Sequence, residues 1–495
     1  MKKLTISELF NGYDDIEIPT QISENTSFDI TLSSQDLDNN SLLFITEKVG
    51  KENTVISTEL FKASPFAIVI SKHHNTTSSV CPEIKVGNVR TALAYALSNL
   101  YGLDYYKTKV IGVTGTNGKT TTATLIYKML KECGYKVGFI GTGKIISDTN
   151  ILSDDTYSMT TPDPNILYPA IAKMTEVGCK YIVMEVSSHA IALGKIAPIK
   201  FEYSIFTNLD NDHLDFHNSK EEYFQTKLKL FELSKKGLFN MDDKYSRKAA
   251  ELSKCEKSTF GIINSGDAYA SEIFLGSEET SFYYRERDLI FKAHTKLIGA
   301  FNVYNIIAAL KCIIDLGIKP CIAKKALRSI DRIDGRMEII RGEITAIIDY
   351  AHTPKAFYNC LKTIKQSINA KQNLIVVFGC GGDRDTSKRP YFGQYAEAYA
   401  DKIIITEDNL RNEDFSSIVN DITRDMTSGS YETIRERESA IRYAFKCARP
   451  GDIVAVIGKG HEKYKIVGGE YLPFDERKII EDILSEMDGT YAGKT

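Results

Sequence analysis

The stretch "VIGVTGTNGKTTTATL", Val110 to Leu125, decides how the chain folds. Its apolar start reads as a buried strand, Gly115 and Gly118 as a turn, and Lys119 as the opening of a helix. A strict G-x-x-x-x-G-K-[ST] loop would need glycine at position 113, where Val113 stands; the spacing here is G-x-x-G-x-x-G-K-T-T. Strand, glycine turn and helix in that order still form a phosphate cradle. Glycines let backbone N–H groups approach phosphate oxygens, a helix N-terminus favours anions, and Lys119 can reach terminal phosphates. Thr120 or Thr121 can offer a hydroxyl to magnesium. The stretch predicts nucleotide binding on a mostly parallel α/β sheet.

The same alternation of strand and helix continues on both sides. Upstream, "SLLFITEKV", "PFAIVISK" and "PEIKVG" read as short strands before a helix in "NVRTALAYALSNLYG". Downstream, "KVGFIGT", "CKYIVMEV" and "EYSIFTNL" read as buried strands, and "GAFNVYNIIAALKCIIDLG" as a helix stopped by Gly317. After "DRIDGRMEII" the rhythm restarts with "ITAIIDY", "NLIVVFG", "DKIIIT" and "DIVAVIG". Three domains are expected over residues 1–105, 106–332 and 333–495, in keeping with a length of 495 residues. A net charge of −3 gives no general reason to expect nucleic acid or an anionic membrane as partner. No apolar run approaches a membrane span, and "MKKLTISELF" lacks the apolar core of a signal peptide, so a cytoplasmic protein is expected. The nine cysteines are never spaced C-x-x-C, which indicates neither a disulfide framework nor zinc. Cys380, in "VFGCGGDRD", reads as a small buried residue rather than a nucleophile.

Other strand ends carry chemistry. "MEVSSHA" places Glu185 at the carboxyl edge of a sheet, where open α/β folds bind ligands. "FTNLDNDHLDFH" does the same for Asn208, Asp212, His213, Asp215 and His217. A carboxylate and a histidine at neighbouring strand ends suit a magnesium held partly by substrate oxygens. "GRMEII" puts Arg336 at a domain junction, and "IIDYAHTP" puts Asp349 and His352 at another strand end.

In order, "GVTGTNGKTTT", "MEVSSHA", "TNLDNDHLDFH", "YFQTKLKLF", "GAFNVYNIIAAL", "DGRMEII", "DYAHTP", "VFGCGGDRDTSKRP" and "GKGHE" resemble the motif set of the Mur ligases over residues 88 to 480. Within that family they look like the synthetases that add the third amino acid to the peptidoglycan stem peptide. The displaced glycines match the family's own phosphate loop. The resemblance implies three domains: an N-terminal one for a UDP-linked substrate, a central phosphate-loop ATPase-like parallel sheet, and a C-terminal Rossmann-like domain for the incoming amino acid. It implies ATP, two magnesium sites, an acyl-phosphate intermediate on a UDP-N-acetylmuramoyl dipeptide, and a monomer. Carried over residue by residue, Gly115, Thr116, Asn117, Gly118, Lys119, Thr120 and Thr121 match the loop that holds ATP. Asn302, Arg336 and Asp349 match further ATP contacts. Thr120, Glu185 and His213 match magnesium positions. Ser34, Thr160, Thr161, Ser187 and Lys195 fall on contacts to the UDP-muramoyl substrate. Lys227 matches a lysine that the family carries as a carbamate, formed from CO2. On sequence alone Lys227 reads as a solvated charge on a helix.

The added amino acid is read from the C-terminal motifs. Members that add meso-diaminopimelate carry D-N-P-R, and this chain has Asp408-Asn409-Leu410-Arg411. A guanidinium suits the second carboxylate of diaminopimelate, which L-lysine does not have. Arg389, Gly458 and Glu462 match the remaining contacts. Leu410 lacks the fixed φ of proline, which leaves the position of Arg411 less constrained. meso-Diaminopimelate is favoured and L-lysine is the alternative. Departures gather in the sugar-nucleotide half. Ser33-Ser34-Gln35 stands where D-S-R is usual, and Leu193 and Lys195 stand where Gln and Arg are usual, so a paralogue on another carrier is a further alternative. Rivals are a folylpolyglutamate synthetase, a noncatalytic nucleotide sensor, and an unrelated phosphate-loop NTPase.

Overall fold

The computed structural model describes residues 4–23, 26–32, 40–46, 65–73, 81–153, 159–213, 216–427 and 429–492. Ser34, Gln35 and Asp215 lie outside them. The described strands form three large sheets and a small hairpin.

The first sheet has six strands, four of them parallel: Ser27–Thr31, Ser41–Phe44, Ala67–Ser71 and Glu83–Val86. The helix Val89–Leu100 follows, capped by Asn88, whose side chain accepts from Thr91 N at 2.9 Å. That helix packs on the helix Pro164–Val177 of the next sheet. One hydrophobic cluster, running from Phe28 and Val69 through Leu93 to Leu167 and Tyr168, therefore joins the two units.

The second sheet has eleven strands. Lys109–Thr114 lies at its middle, between Tyr181–Glu185 and Phe201–Phe206, parallel to both. Helices cover both faces of this parallel core, so its strands read as unbroken apolar runs; Val137–Gly141 and Tyr181–Glu185 are buried at every position. Beyond it the sheet continues in strands not anticipated from the sequence, Ala268–Leu275, Thr280–Glu286 and Leu289–Thr295, paired antiparallel. The helix Ala300–Asp315 is followed by Gly317 at φ 90°, the left-handed stop expected there.

The third sheet runs Glu338–Ile340, Thr345–Asp349, Ile453–Ile457, Leu374–Phe378, Lys402–Ile405, Glu432–Thr433, parallel except for the first pair. Separate apolar clusters fill its two faces. The carboxyl ends of its strands face those of the central sheet, and the residues with chemistry meet there. Among the described residues no helix is long and apolar enough to cross a membrane.

Candidate active site

The phosphate loop is held from beneath. Gly118 caps the helix Lys119–Glu132 at φ 87°, and a Cβ there would come within 2.5 Å of Asn305 Oδ1. Only glycine meets both demands. Asn208 fixes the loop tip, accepting from Asn117 N at 2.9 Å and donating to Asn117 O at 3.0 Å. Lys119 Nζ folds back on the carbonyls of Gly115 and Thr116, each at 2.9 Å. Burial lowers its pKa, opposed by Glu185 and Asp212.

Glu185 organises the wall beside the loop. Its Oε2 accepts from Thr120 Oγ1 at 2.8 Å and its Oε1 from Thr142 N at 3.0 Å. From the third sheet, Arg336 Nη2 donates to the same Thr120 hydroxyl at 2.9 Å, with its guanidinium carbon 4.4 Å from the Tyr350 ring centre. Asp349 accepts from Met337 N at 2.7 Å and Ala351 N at 2.8 Å, fixing the strand end behind Arg336. His213 adopts φ 55°, a left-handed conformation rare for a non-glycine residue and often found at functional sites. Burial takes its pKa down to about 3, so the imidazole is neutral with a lone pair to offer. Next to it, buried Asp212 takes partners from across the seam: His352 Nε2 at 3.8 Å and Lys388 Nζ at 3.7 Å.

Lys227 is not a surface charge, against the reading of the sequence alone. It is 1% exposed beneath the loop, donating to Gly115 O at 3.1 Å and Thr114 Oγ1 at 3.3 Å, with the Tyr223 ring centre 4.6 Å away. Burial, and then the Lys119 ammonium, hold its pKa well below the lysine range. The amine is therefore available in its neutral form.

Thr116, Asn117, Gly118, Lys119, Thr120, Thr121, Thr160, Glu185 and His213 line one cavity of 750 Å³ together with Arg336 and Asp349. Asp408, Asn409, Arg411, Gly458 and Glu462 line the same cavity from the third sheet. Glu462 accepts from Lys459 Nζ at 2.9 Å and Asn409 Nδ2 at 3.0 Å. Gly458 lies at φ 127° against Asp408, where a Cβ would meet Oδ2 at 2.7 Å. Arg411, at φ 53°, donates Nη1 to Gly382 O at 2.7 Å, and among the described residues no carboxylate pairs with it. Leu410 is 2% exposed and packs into the core of the third sheet.

Several expected contacts stand off the cavity wall. Asn302 is buried in its helix, donating to Ile298 O at 2.8 Å and accepting from Asn305 Nδ2 at 3.2 Å; Asn305, one turn on, lines the cavity instead. Arg389 is 1% exposed and faces away, forked onto Glu413 at 2.5 and 2.6 Å and reaching Asp421 at 3.0 Å. Its neighbour Lys388, and Arg384, stand on the wall instead, beside Arg411. Thr161 and Ser187 sit behind Glu185, 3.3 Å apart. Lys195 is buried and paired with Asp163 at 2.8 Å. Cys380 is buried with its thiol pushed up to about 12, as a packing residue.

Among the described residues no three His, Cys, Asp or Glu side chains stand close enough to hold a metal alone. Thr120 and Glu185 offer hard oxygens, and magnesium characteristically fills the rest of its octahedron with water and substrate phosphate. The donor set fits that pattern.

A phosphate loop on a parallel sheet, faced across a shared cavity by a second sheet that supplies an arginine to it, defines a site built for nucleotide-dependent phosphoryl transfer. Residues 113–313 match the Mur ligase middle domain and residues 335–460 the Mur ligase glutamate ligase domain. The chain belongs to the Mur ligase family of amide-bond-forming enzymes. It is similar to the UDP-N-acetylmuramoyl-L-alanyl-D-glutamate–2,6-diaminopimelate ligase of Clostridium tetani, 35% identical over 495 residues, covering 98% of this chain and 99% of that one. The Aquifex aeolicus protein of the same name is 36% identical over 459 residues, covering 92% and 93%. A solved structure of a ligase so named superposes with a TM-score of 0.66 at 27% identity, covering 98% of this chain and 100% of that one.

Proposed function

We propose that the chain joins meso-diaminopimelate to the D-glutamyl carboxylate of UDP-N-acetylmuramoyl-L-alanyl-D-glutamate, at the expense of ATP, as a cytoplasmic monomer in peptidoglycan synthesis. The observation that carries the choice of amino acid is Arg411. It opens on the cavity without a carboxylate partner among the described residues, whereas Lys459 and Arg389 are already paired. L-Lysine would leave that guanidinium without a direct ion pair; the second carboxylate of diaminopimelate would supply one.

In this reading the substrate carboxylate attacks the γ-phosphorus, the bond to the ADP oxygen breaks, and an acyl phosphate forms. The amine of the diamino acid then attacks the acyl carbon, and the C–O bond breaks to release phosphate. Lys119 leaves its loop carbonyls for the terminal phosphates, and Arg336 stands beside them to take up developing charge. Thr120, Glu185 and His213 would hold magnesium, which neutralises phosphate oxygens when bound. The neutral amine of Lys227 is the form that adds CO2, and its carbamate would complete that set with an anionic ligand. Thr160, Thr161, Ser187 and Lys195 are assigned to the muramoyl dipeptide, and the first sheet to the uridine nucleotide.

Phosphate release from ATP, with the UDP-muramoyl dipeptide present, tests this by comparing the two diamino acids. Release with meso-diaminopimelate and little with L-lysine is expected. Preference for lysine would overturn the role given to Arg411, and silence with both would overturn the carrier substrate.

A further inference from the structure

Arg336 is not alone in crossing from the third sheet to the Thr120–Glu185 cluster. His461 Nε2 lies 3.2 Å from the carbonyl oxygen of Thr142. The N–H of the same threonine donates to Glu185 Oε1 at 3.0 Å. Thr142 is thus held at both backbone ends, by Glu185 on its own sheet and by His461 from the facing one. The tautomer that donates to a carbonyl is Nε2–H, which leaves Nδ1 as a bare acceptor, and Nδ1 is buried without a partner. Burial, then Arg336 and Lys144, bring the pKa of His461 to about 3, so the ring supplies one hydrogen bond and no charge.

The two crossing residues leave from one interlocked point. Gly335, at φ 63°, lies directly against the backbone of His461, where a Cβ would come within 2.2 Å of His461 N. Arg336, the next residue, meets Thr120 Oγ1 while His461 meets Thr142 O. On the other side His461 is followed by Glu462, whose carboxylate accepts from Lys459, Asn409 and Tyr350 in the amino-acid half of the cavity. A shift of the 458–462 turn moves both groups together.

We propose that His461 is a positioning residue that links the amino-acid site to the nucleotide site through its hydrogen bond to Thr142. The inference rests on the proposed ligase function. Seating a diamino acid against Glu462 fixes the turn, and the bond to Thr142 then holds Glu185 and Thr120 for the phosphates. The bond exists only while the two sheets stand together, so each ligand that favours this arrangement strengthens the binding of the other by the same factor.

The test is calorimetric titration of a nonhydrolysable ATP analogue, with UDP-muramoyl dipeptide saturating throughout, in the presence and absence of meso-diaminopimelate. The native protein is expected to bind the analogue roughly fivefold or more tightly when the diamino acid is present, the lower range of measured couplings. His461→Phe keeps a ring against Tyr350 but has no donor, and its ratio is expected to fall to about one with melting unchanged. His461→Gln keeps a donor and is expected to retain most of the ratio, which a merely structural role would not distinguish. A native ratio near one, or a native ratio surviving in His461→Phe, overturns the inference. Should His461→Phe not fold, His461→Asn, too short to reach Thr142, takes its place: a ratio near one supports the link and a native ratio overturns it. Absence of any analogue or diamino-acid binding to the native protein overturns the proposed function instead.

Discussion

The two halves of the cavity differ in how far they satisfy themselves. On the nucleotide side, two amines, Lys119 on the cavity wall and Lys227 buried beneath the loop, take only hydroxyl and carbonyl partners among the described residues, and both have lowered pKa values. On the amino-acid side the cations nearest the diamino-acid contacts are matched in advance: Lys459 pairs with Glu462, and Arg389, behind the wall, is held by Glu413 and Asp421. The first half is built around charge that a ligand must bring: without a paired carboxylate, Lys119 waits for phosphate, and buried Lys227 stays a neutral amine until CO2 makes it an anion. In the second those cations already have their carboxylates, so it selects by the groups left over. Arg411 is such a group.

The largest effect should therefore come from the side that waits for charge. Lys227→Ala is expected to lower kcat by on the order of 10²–10³-fold, the cost of removing one preorganised group at a site of developing charge. Phosphate release measured with and without bicarbonate checks it, and no rescue is expected because the amine that accepts CO2 is gone. Turnover near the native rate would remove Lys227 from the mechanism and erase the contrast between the halves. On the matched side, Arg411→Ala is expected to lower kcat/KM for meso-diaminopimelate roughly 10- to 100-fold, the range for one hydrogen-bonded charge. The same variant should leave L-lysine nearly unaffected. Equal losses with both acids would show that Arg411 supports the loop and does not read the substrate.

What the sequence made legible was local chemistry. Strand, glycines, Lys119 and Thr120 announce a phosphate site because all of its parts lie within a dozen residues. Facing direction is harder to read. Asn302 and Asn305 sit one helical turn apart in "AFNVYN", and only tertiary packing puts Asn305 on the cavity and Asn302 beneath it. Lys388 and Arg389 are adjacent at a helix entry and point to opposite sides, one to Asp212 and the other to Glu413 and Asp421, partners distant in sequence. The burial of Lys227 is invisible for the same reason: its helix, Lys220–Leu228, opens on one lysine and is followed by another, Lys229, and nothing local marks which lysine turns inward. His461 does carry a local signal, since it stands inside "GKGHE" between Gly458 and Glu462. The strand Ala268–Leu275 alternates buried and open positions at one end only, and Thr280–Glu286 opens with three buried residues in a row, which leaves a weak period-two signal in the sequence.

Acidification tests one buried group near the seam. The pKa of His461 falls from an ordinary 6.5 to about 3 in the folded chain. Between those values the unfolded state binds a proton that the folded state does not, so stability rises with pH across that window. The contribution is complete above 6.5 and is lost as the pH falls toward 3. His461→Gln, which does not titrate, is expected to show a shallower fall in melting temperature from pH 7 to pH 4 than the native protein. Parallel curves would mean that His461 is solvated in solution and not held against Thr142.

The smallest effect is expected at Leu410, where this chain departs from the diaminopimelate motif. Proline would fix φ at that position, but Arg411 is already pinned by other means. Its N–H donates to Ile466 O at 3.0 Å, and its carbonyl accepts from Gly468 N at 2.7 Å. Those two bonds tie Arg411 to the hairpin Tyr464–Pro473 and set its left-handed conformation without help from residue 410. The leucine has a different task, filling the core of the third sheet at 2% exposure. Leu410→Pro is accordingly expected to cost on the order of 1–3 kcal/mol of stability through lost packing. It should change KM for meso-diaminopimelate by less than about threefold, because the charge that reads the second carboxylate does not move. A large gain in affinity would show that the hairpin bonds hold Arg411 less firmly than proline does, and that this half of the cavity is set by its loop backbone before its charges.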